Sequence, residues 1–341
     1  MLYAGAATLG VAAMLALLVD QCLGEPPVRW HPVVWMGNYL ARAGDWVQRP
    51  SAADGSAASQ QAPDWAAFLR GTAAWLAGAL VVLGLAFGVQ ALLLQLPWGV
   101  RSLAMGLLLK PLLAWGMLKT EVRAVDAALT GSLAAGRERL RWLVSRAVAD
   151  LSAAQVRESA VETLAENFND SVIAPLFWFA VFGLPGAAVY RFANTADAMW
   201  GYPGIYAGRN WAWAGKWAAR VDDVAGWLPA RLTALLLLLA SGKNAWKRAQ
   251  HLPLQAGQTP SPNSGWPMAA MALVLGVALR KPGVYVLNPA AAEVRAADIP
   301  RAIALANRAL LVAGLLALLL LCPVWLPLLA ALAAWARGVF L

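Results

Sequence analysis

The chain has 341 residues, of which 60% are hydrophobic and 13% charged, and its formal net charge is +9. Soluble domains carry about 25% charged residues, so this composition excludes an ordinary water-soluble domain and indicates a membrane protein. The basic residues are scattered between apolar runs, which is typical of cytoplasmic loops and not of a nucleic-acid surface. Cys22 and Cys322 lie far apart, so neither a disulfide framework nor a zinc site is indicated.

Several apolar runs approach the roughly 20 residues that a helix needs to cross a bilayer. The three clearest cover 2–19, 72–96 and 302–332, and weaker candidates cover 102–118, 171–190 and 224–240. Between the first two runs, residues 50–64 are small, polar and turn-prone, which predicts a flexible linker. We therefore expect an all-α polytopic protein whose residues 1–341 form a single membrane-embedded domain.

Residues 119–170 differ in kind, because they hold seven Lys or Arg and eight acids with apolar positions at helical spacing. This pattern predicts a water-facing helical insertion, and Ser152 is a suitable N-cap for its last helix. That helix carries acids every four residues, at Glu158, Glu162, Glu166 and Asp170. Like charges at that spacing destabilise a helix by roughly 0.2–0.5 kcal/mol per pair, so the row of acids requires an explanation. One alternative is a solvated face balanced by the arginines at 137, 139, 141 and 146.

The next segment, "SVIAPLFWFAVFGLPGAAVYRF", is apolar enough to span a membrane but is divided by Gly183-Leu184-Pro185-Gly186. A Pro-Gly turn in the middle favours two half-helices over one straight rod. The sequence therefore predicts a re-entrant hairpin that returns Arg191 to the side of Asp170. The alternative is a simple span.

Polar side chains then cluster in three stretches, "YRFANTADAMWGY", "GKWAARVDDVAGWLPAR" and "QTPSPNSGWPM". Carboxylates mixed with Asn, Thr, Lys and Arg are the ingredients of a Mg²⁺-phosphate site. Each stretch also has a purely structural explanation. The first could be a capped turn, and the third a rigid proline loop. In the second, Asp222-Asp223 could be a helix N-cap and Lys216 an interfacial anchor among tryptophans. If 224–240 spans the bilayer, the "SPNSGWPM" loop would lie across the membrane from the acids.

The motifs "ESAVETLAENFNDSVIAPLFWF", "YRFANTADAMWGY", "ARVDDVAGWLPARL" and "SPNSGWPMAAMA" resemble the CobD/CbiB family, as does the opening "DQCLGEPPVRWHPVVWMGNYL". The resemblance implies an inner-membrane adenosylcobinamide-phosphate synthase. Such an enzyme uses ATP and Mg²⁺ to join adenosylcobyric acid to (R)-1-amino-2-propanol phosphate, or to the free aminopropanol, through an amide bond. Two positions depart from the family pattern: Ala147 replaces an acid, and Gly226 replaces an Asn.

The resemblance also suggests roles, which are expectations here. Metal ligands are expected at Glu166, Asp170, Asp197, Asp222 and Asp223. Catalytic and phosphate-binding groups are expected at Arg191, Asn194, Lys216 and Arg220. Substrate contacts are expected at His31, Glu162, Asn167, Thr195, Ser261 and Asn263. Other late corrinoid-pathway enzymes are possible partners, besides the lipid bilayer, and nucleic acid is not expected. The alternatives are a membrane transporter and a non-catalytic sensor or scaffold.

Overall fold

The computed structural model describes residues 2–48, 63–242 and 245–321. Helices dominate this part of the chain, which confirms the all-α prediction, and two short antiparallel hairpins are the exceptions. In chain order the elements are α1 (Leu2–Leu23), α2 (Pro32–Val47), α3 (Trp65–Leu93), α4 (Trp98–Leu109), α5 (Trp115–Gly131), α6 (Leu133–Leu140), α7 (Ala153–Phe168), a π-helical segment (Asn169–Ile173), α8 (Ala174–Trp200), β1 (Ile205–Tyr206), β2 (Arg209–Asn210), α9 (Trp211–Ala214), α10 (Lys216–Ala240), α11 (Ala245–Ala249), α12 (Leu252–Ala256), α13 (Gly265–Leu275), β3 (Leu279–Lys281), β4 (Tyr285–Leu287) and α14 (Asp298–Leu321).

Five helical segments of the described chain are long and apolar enough to cross a membrane, so the protein is a multi-pass membrane protein. They are Trp65–Leu93, Trp98–Gly131, Ala153–Trp200, Lys216–Ala240 and Asp298–Ala317. Large apolar side chains such as Leu80 and Leu92 of α3 project outward, as expected for a helix in contact with lipid. Residues 50–62 of the predicted linker, and Cys322 with the rest of the last apolar run, lie outside the described residues.

Helix α8 is divided at Gly183, where φ is +69° and ψ is −151°. The chain reverses direction there: a Cβ on Gly186 would come within 2.3 Å of the Trp178 carbonyl oxygen. Eight residues of unbroken helix would separate those positions by about 12 Å. Beyond the turn, the Arg191 guanidinium reaches back to the Asp170 carbonyl oxygen at 3.3 Å. The predicted hairpin is therefore confirmed, and a simple span over 171–190 is excluded.

The acid-bearing helix α7 lies inside the protein. Ser152 and Gln155 form the predicted N-terminal cap as a complete capping box. Glu158 is fully buried and Glu162 is 4% exposed, because α5, α6, α13, α14 and β3 pack around the helix. The alternative of a solvated acidic face is therefore wrong for these two residues.

The "SPNSGWPM" loop packs directly against α10. The Asn263 side-chain amide donates a hydrogen bond to the Asp223 carbonyl oxygen at 2.7 Å. The loop and the Asp222-Asp223 pair therefore lie together, and the arrangement that would place them on opposite sides of the membrane is excluded.

Candidate functional site

A polar cavity of about 150 Å³ lies between α7 and the β3–β4 hairpin. Helix α7 contributes four polar side chains to its wall at Glu162, Thr163, Glu166 and Asn167. Residues 143–146 close one side, and the hairpin contributes Lys281 and Tyr285. The acids of α7 therefore face a shared polar space inside the fold.

Glu162 anchors a hydrogen-bonded network at this cavity. One of its carboxylate oxygens pairs with the Arg146 guanidinium at 2.7 Å, and the other accepts a hydrogen bond from the Tyr285 hydroxyl. Burial, together with the neighbouring carboxylate, raises the pKa of the Tyr285 phenol, which therefore remains a donor at neutral pH. The same Arg146 nitrogen also reaches the Ser159 hydroxyl. Its Nε and Nη1 are buried without a hydrogen-bond partner among the described residues.

The π-helical segment turns the chain between Glu166 and the hairpin. Its first residue, Asn169, is buried, accepts a hydrogen bond from the Thr233 hydroxyl at 2.8 Å and donates one to the Asp170 carboxylate at 2.7 Å. Helix α10 therefore holds Asp170 in place through Asn169. Such π-turns occur frequently at functional sites, but the sequence reasoning did not find this contact.

A group of carboxylates surrounds Asp170. Glu166 and Asp222 each lie within electrostatic range of both Asp170 and Asp197. No arginine or lysine of the described chain forms a direct ion pair with any of these four carboxylates. Carboxylates held close together without a direct ion pair repel one another, which marks the group as a functional candidate.

Asn194 connects this group to Arg191. Its side-chain oxygen accepts a hydrogen bond from the Arg191 guanidinium at 3.3 Å, and its amide donates to the Asp222 carboxylate at 3.4 Å. The same guanidinium donates to the Ser171 hydroxyl at 2.9 Å. Arg191 Nε is buried without a hydrogen-bond partner in the described chain. The hairpin thus brings a cation with a free donor to the carboxylate group.

Within the described residues, no three His, Cys, Asp or Glu side chains come close enough together to hold a metal ion by themselves. Mg²⁺ usually takes only one or two carboxylates and completes its shell with phosphate oxygens and water. The carboxylate group around Asp170 has the right donor chemistry for such a shared site.

A match to a known protein family shows which family the chain belongs to. The model of the CobD/Cbib protein family matches residues 13–309. This chain belongs to the CobD/CbiB family. It is 36% identical to the probable cobalamin biosynthesis protein CobD of Methanothermobacter thermautotrophicus, over 81% of this chain and 85% of that relative. It is 40% identical to the cobalamin biosynthesis protein CobD of Chromobacterium violaceum, over 78% of this chain and 79% of the relative. No solved structure matches it.

The N-terminal motif of this CobD/CbiB protein forms a partly buried ion-pair cluster around Glu25. His31 lies 3.3 Å from the Glu25 carboxylate, and Lys110 lies 2.6 Å from it. Burial alone would raise the pKa of Glu25, but the hydrogen bonds from His31 and Lys110 outweigh it and lower that pKa below its ordinary value. Glu25 is also within electrostatic range of Arg191, so His31 lies near the site as one partner in this cluster.

In the proline loop, Ser261 and Asn263 have different surroundings. The Ser261 hydroxyl accepts hydrogen bonds from the backbone amides of Asn263 and Ser264 at 3.2 Å each, so it shapes the turn. Asn263 fills the space beside Gly226, where an added Cβ would lie 2.9 Å from the Asn263 amide nitrogen. The family departure at Gly226 thus makes room for Asn263.

Nothing in the structure explains the departure at the exposed Ala147.

Four predicted residues make other contacts. Lys216 lies over the Trp213 ring at 3.8 Å and forms no ion pair within the described chain, as an interfacial anchor would. Arg220 is exposed, with Asp223 as its electrostatic neighbour. Thr195 and Asn167 donate to carbonyls four residues earlier in their helices, at 2.7 and 3.1 Å. In the described chain Lys216 and Arg220 form no ion pair or hydrogen bond with the group around Asp170, while Asn167 faces the cavity.

Sequence reasoning missed Lys281 and Tyr285, which lie at the cavity, and Arg231, which lies beside Asn263. Arg231 is held between the rings of Trp227 and Trp266 at 4.1 and 4.6 Å. The "RKPGVY" stretch did contain a signal, since Pro-Gly between short β-prone residues marks a tight turn. Nothing in that signal indicates which helix the hairpin contacts.

Proposed function

We propose that this protein acts in cobalamin biosynthesis as an enzyme of the inner membrane. In this proposal it uses ATP and Mg²⁺ to form an amide between adenosylcobyric acid and aminopropanol phosphate or aminopropanol. Family membership and the names of the relatives support the pathway. The observation that carries the enzymatic part is the group of Glu166, Asp170, Asp197 and Asp222 beside Arg191, joined to a polar cavity.

The chemistry requires activation, because a free carboxylate and an amine do not condense usefully in water. In the proposed route, the corrinoid carboxylate attacks the γ-phosphorus of ATP, ADP leaves, and an acyl phosphate forms. The amine nitrogen then attacks the acyl carbon, the C–O bond to phosphate breaks, and inorganic phosphate and one proton are released. Positioning and electrostatic stabilisation would supply most of the rate enhancement.

In this proposal, different residues of the chain bind the metal ion, bind phosphate and orient the phosphate-binding group. Glu166 and Asp170 are the proposed Mg²⁺ ligands, with Asp197, Asp222 and Asp223 around them, and the ion would neutralise phosphate charge when bound. Arg191 would hold a phosphate oxygen with its unpartnered Nε. Asn194 would keep that guanidinium oriented against Asp222. Lys216 and Arg220 remain proposed phosphate-binding groups, although neither contacts the carboxylates around Asp170 in the described chain.

The test is amide formation by the purified protein in detergent or nanodiscs. Adenosylcobyric acid, ATP and Mg²⁺ are supplied with each amine in turn, and product and ADP are measured together. We expect one ADP per amide, and no product when ATP is replaced by a non-hydrolysable analogue. Corrinoid uptake into sealed vesicles without any amide product would instead support the transporter alternative.

A further inference from the structure

We propose that the cavity between α7 and the β3–β4 hairpin is the subsite for a small amino-alcohol phosphate, with Arg146 and Lys281 holding its phosphate group. This inference rests on the proposed function, since it assigns one of that reaction's substrates to a place. The residues of the β3–β4 hairpin thereby become determinants of which amine the enzyme uses.

The size of the cavity limits what it can hold. Its volume is about 150 Å³, whereas pockets for drug-sized ligands measure roughly 300–1,000 Å³. A nucleotide or a corrinoid does not fit, and a molecule with a three-carbon backbone and one phosphate group does.

The charges of the cavity indicate a ligand that carries both signs. Two cations, Arg146 and Lys281, and two carboxylates, Glu162 and Glu166, line the same space. Arg146 uses one nitrogen on Glu162 and keeps Nε and Nη1 buried without a partner among the described residues. A guanidinium that keeps donors unpaired at the cavity wall can donate to a phosphate oxygen. Lys281 forms no ion pair in the described chain, so its charge is also available.

The position of the cavity suits the amine partner of the reaction. Glu166 lines the cavity and also interacts with Asp170 and Asp197 of the carboxylate group. A phosphate group held by Arg146 and Lys281 leaves the amine end free to lie toward Glu166. The nucleophilic nitrogen is then next to the place where the acyl phosphate is proposed to form.

Strand β3 supplies a matched control. Lys281 and Arg280 are neighbours, and successive side chains of a strand point to opposite faces. Arg280 pairs with Glu293 at 3.1 Å, lies 3.9 Å from the buried Glu158 carboxylate, and is not part of the cavity wall. Lys281→Gln and Arg280→Gln therefore remove the same charge at adjacent positions, only one of which faces the cavity.

The experiment measures kcat/KM of the full-length protein with the phosphorylated and the free amine, together with the KM for ATP. A hydrogen bond to a charged group contributes about 1.5–3 kcal/mol. Lys281→Gln should therefore reduce kcat/KM for aminopropanol phosphate about tenfold to a hundredfold, mainly through KM. The values for free aminopropanol and ATP should not change, and Arg280→Gln should leave the ratio of kcat/KM for the two amines at its wild-type value. Arg146→Lys, which keeps the pair with Glu162, should show the same selective loss.

Equal losses with both amines, or a raised KM for ATP, would overturn the assignment. Calorimetric titration of the wild type with aminopropanol phosphate, without ATP or corrinoid, gives a readout that does not need turnover. Tighter binding of the phosphorylated amine, weakened by Lys281→Gln, supports the subsite even if no amide forms. Amide formation from both amines without any binding preference refutes the subsite and leaves the proposed function standing.

Discussion

Helices α3 and α7 differ in which side chains they expose and which they bury. Helix α3 is almost wholly apolar and exposes large residues, with Leu80 65% and Leu92 72% accessible. Helix α7 carries a net acidic sequence and buries it, so that Glu158 and Glu162 lie inside the protein.

The difference follows from the solvent around each surface. Lipid tails are as apolar as leucine, so an exposed leucine costs little there, whereas a carboxylate in lipid is expensive. The carboxylates must therefore be enclosed by protein, where Arg146, Tyr285 and Asn169 can reach them. In this protein, the burial of charge indicates the candidate site better than the burial of apolar side chains does.

The largest expected effect concerns topology, because a cysteine either reacts or does not react from a given side of the membrane. The Tyr202 hydroxyl lies beside Ser145, so the loops that carry the exposed Ala149 and Ile205 share one compartment. Leu94 lies at the other end of α3 and is also exposed. Cysteines at 149 and 205 should react with an impermeant maleimide from the cytoplasmic face, because the basic loops lie there. A cysteine at 94 should not.

This labelling requires Cys22→Ser and Cys322→Ser as the background. Reaction of positions 149 and 205 from opposite faces would contradict the arrangement of the hairpin and of the site.

The next effect concerns catalysis. If Asp170 belongs to the metal and phosphate site, Asp170→Ala should lower amide formation by about a hundredfold or more, since interactions made in the transition state disappear. Leu80→Ala changes a large side chain on α3 that is 65% exposed, and its turnover should equal the wild-type value. Both variants should purify as monodisperse protein. Wild-type turnover in Asp170→Ala would remove that residue from the site.

A third prediction concerns the hairpin turn. Gly183 has a positive φ, and a Cβ there would lie 2.1 Å from the Gln90 side-chain oxygen, which accepts the Leu184 amide. Gly183→Ala should therefore cost about 1–3 kcal/mol of backbone strain and additionally disturb that contact. Thermal unfolding in detergent should show a lower midpoint, and activity should fall because Arg191 depends on the turn.

Gly84→Ala is the control for this change. Gly84 lies in α3 with nothing within 4 Å of an added Cβ, so alanine should leave the midpoint unchanged or raise it slightly through its better helix propensity. Equal destabilisation by both changes would mean that the turn geometry at Gly183 is not the cause.

The smallest expected effect is at Gly226. An added Cβ would crowd the Asn263 amide, which donates to the Asp223 carbonyl oxygen. Gly226→Ala should therefore lower kcat/KM about threefold to tenfold, consistent with the typical 0.5–1.5 kcal/mol value of one hydrogen bond. In an Asn263→Ala background the same change should have no further effect. Additive losses in the double variant would show that the two positions act independently.

The sequence predicted the features that depend on neighbouring residues. The membrane class follows from long apolar runs, and the Ser152 cap follows from local capping chemistry. The hairpin was also predictable, because Gly183 can adopt the backbone angles that a reversal requires, and because Pro185 follows it. The positions of the acids were visible as well, although the sequence could not distinguish a solvated face from a buried one.

The candidate site itself depends on contacts between distant parts of the chain. Tyr285 meets Glu162 across 123 residues, Lys110 meets Glu25 across 85, and Thr233 meets Asn169 across 64. Helical periodicity shows which residues share a face, but it does not indicate which other helix or hairpin will cover that face. The sequence by itself therefore determined the membrane class, the Ser152 helix cap and the hairpin, because these follow from local backbone and solvation preferences. Only tertiary packing brought Arg146, Lys281 and Tyr285 to the acids of α7, because such pairings depend on how the whole chain buries its charges.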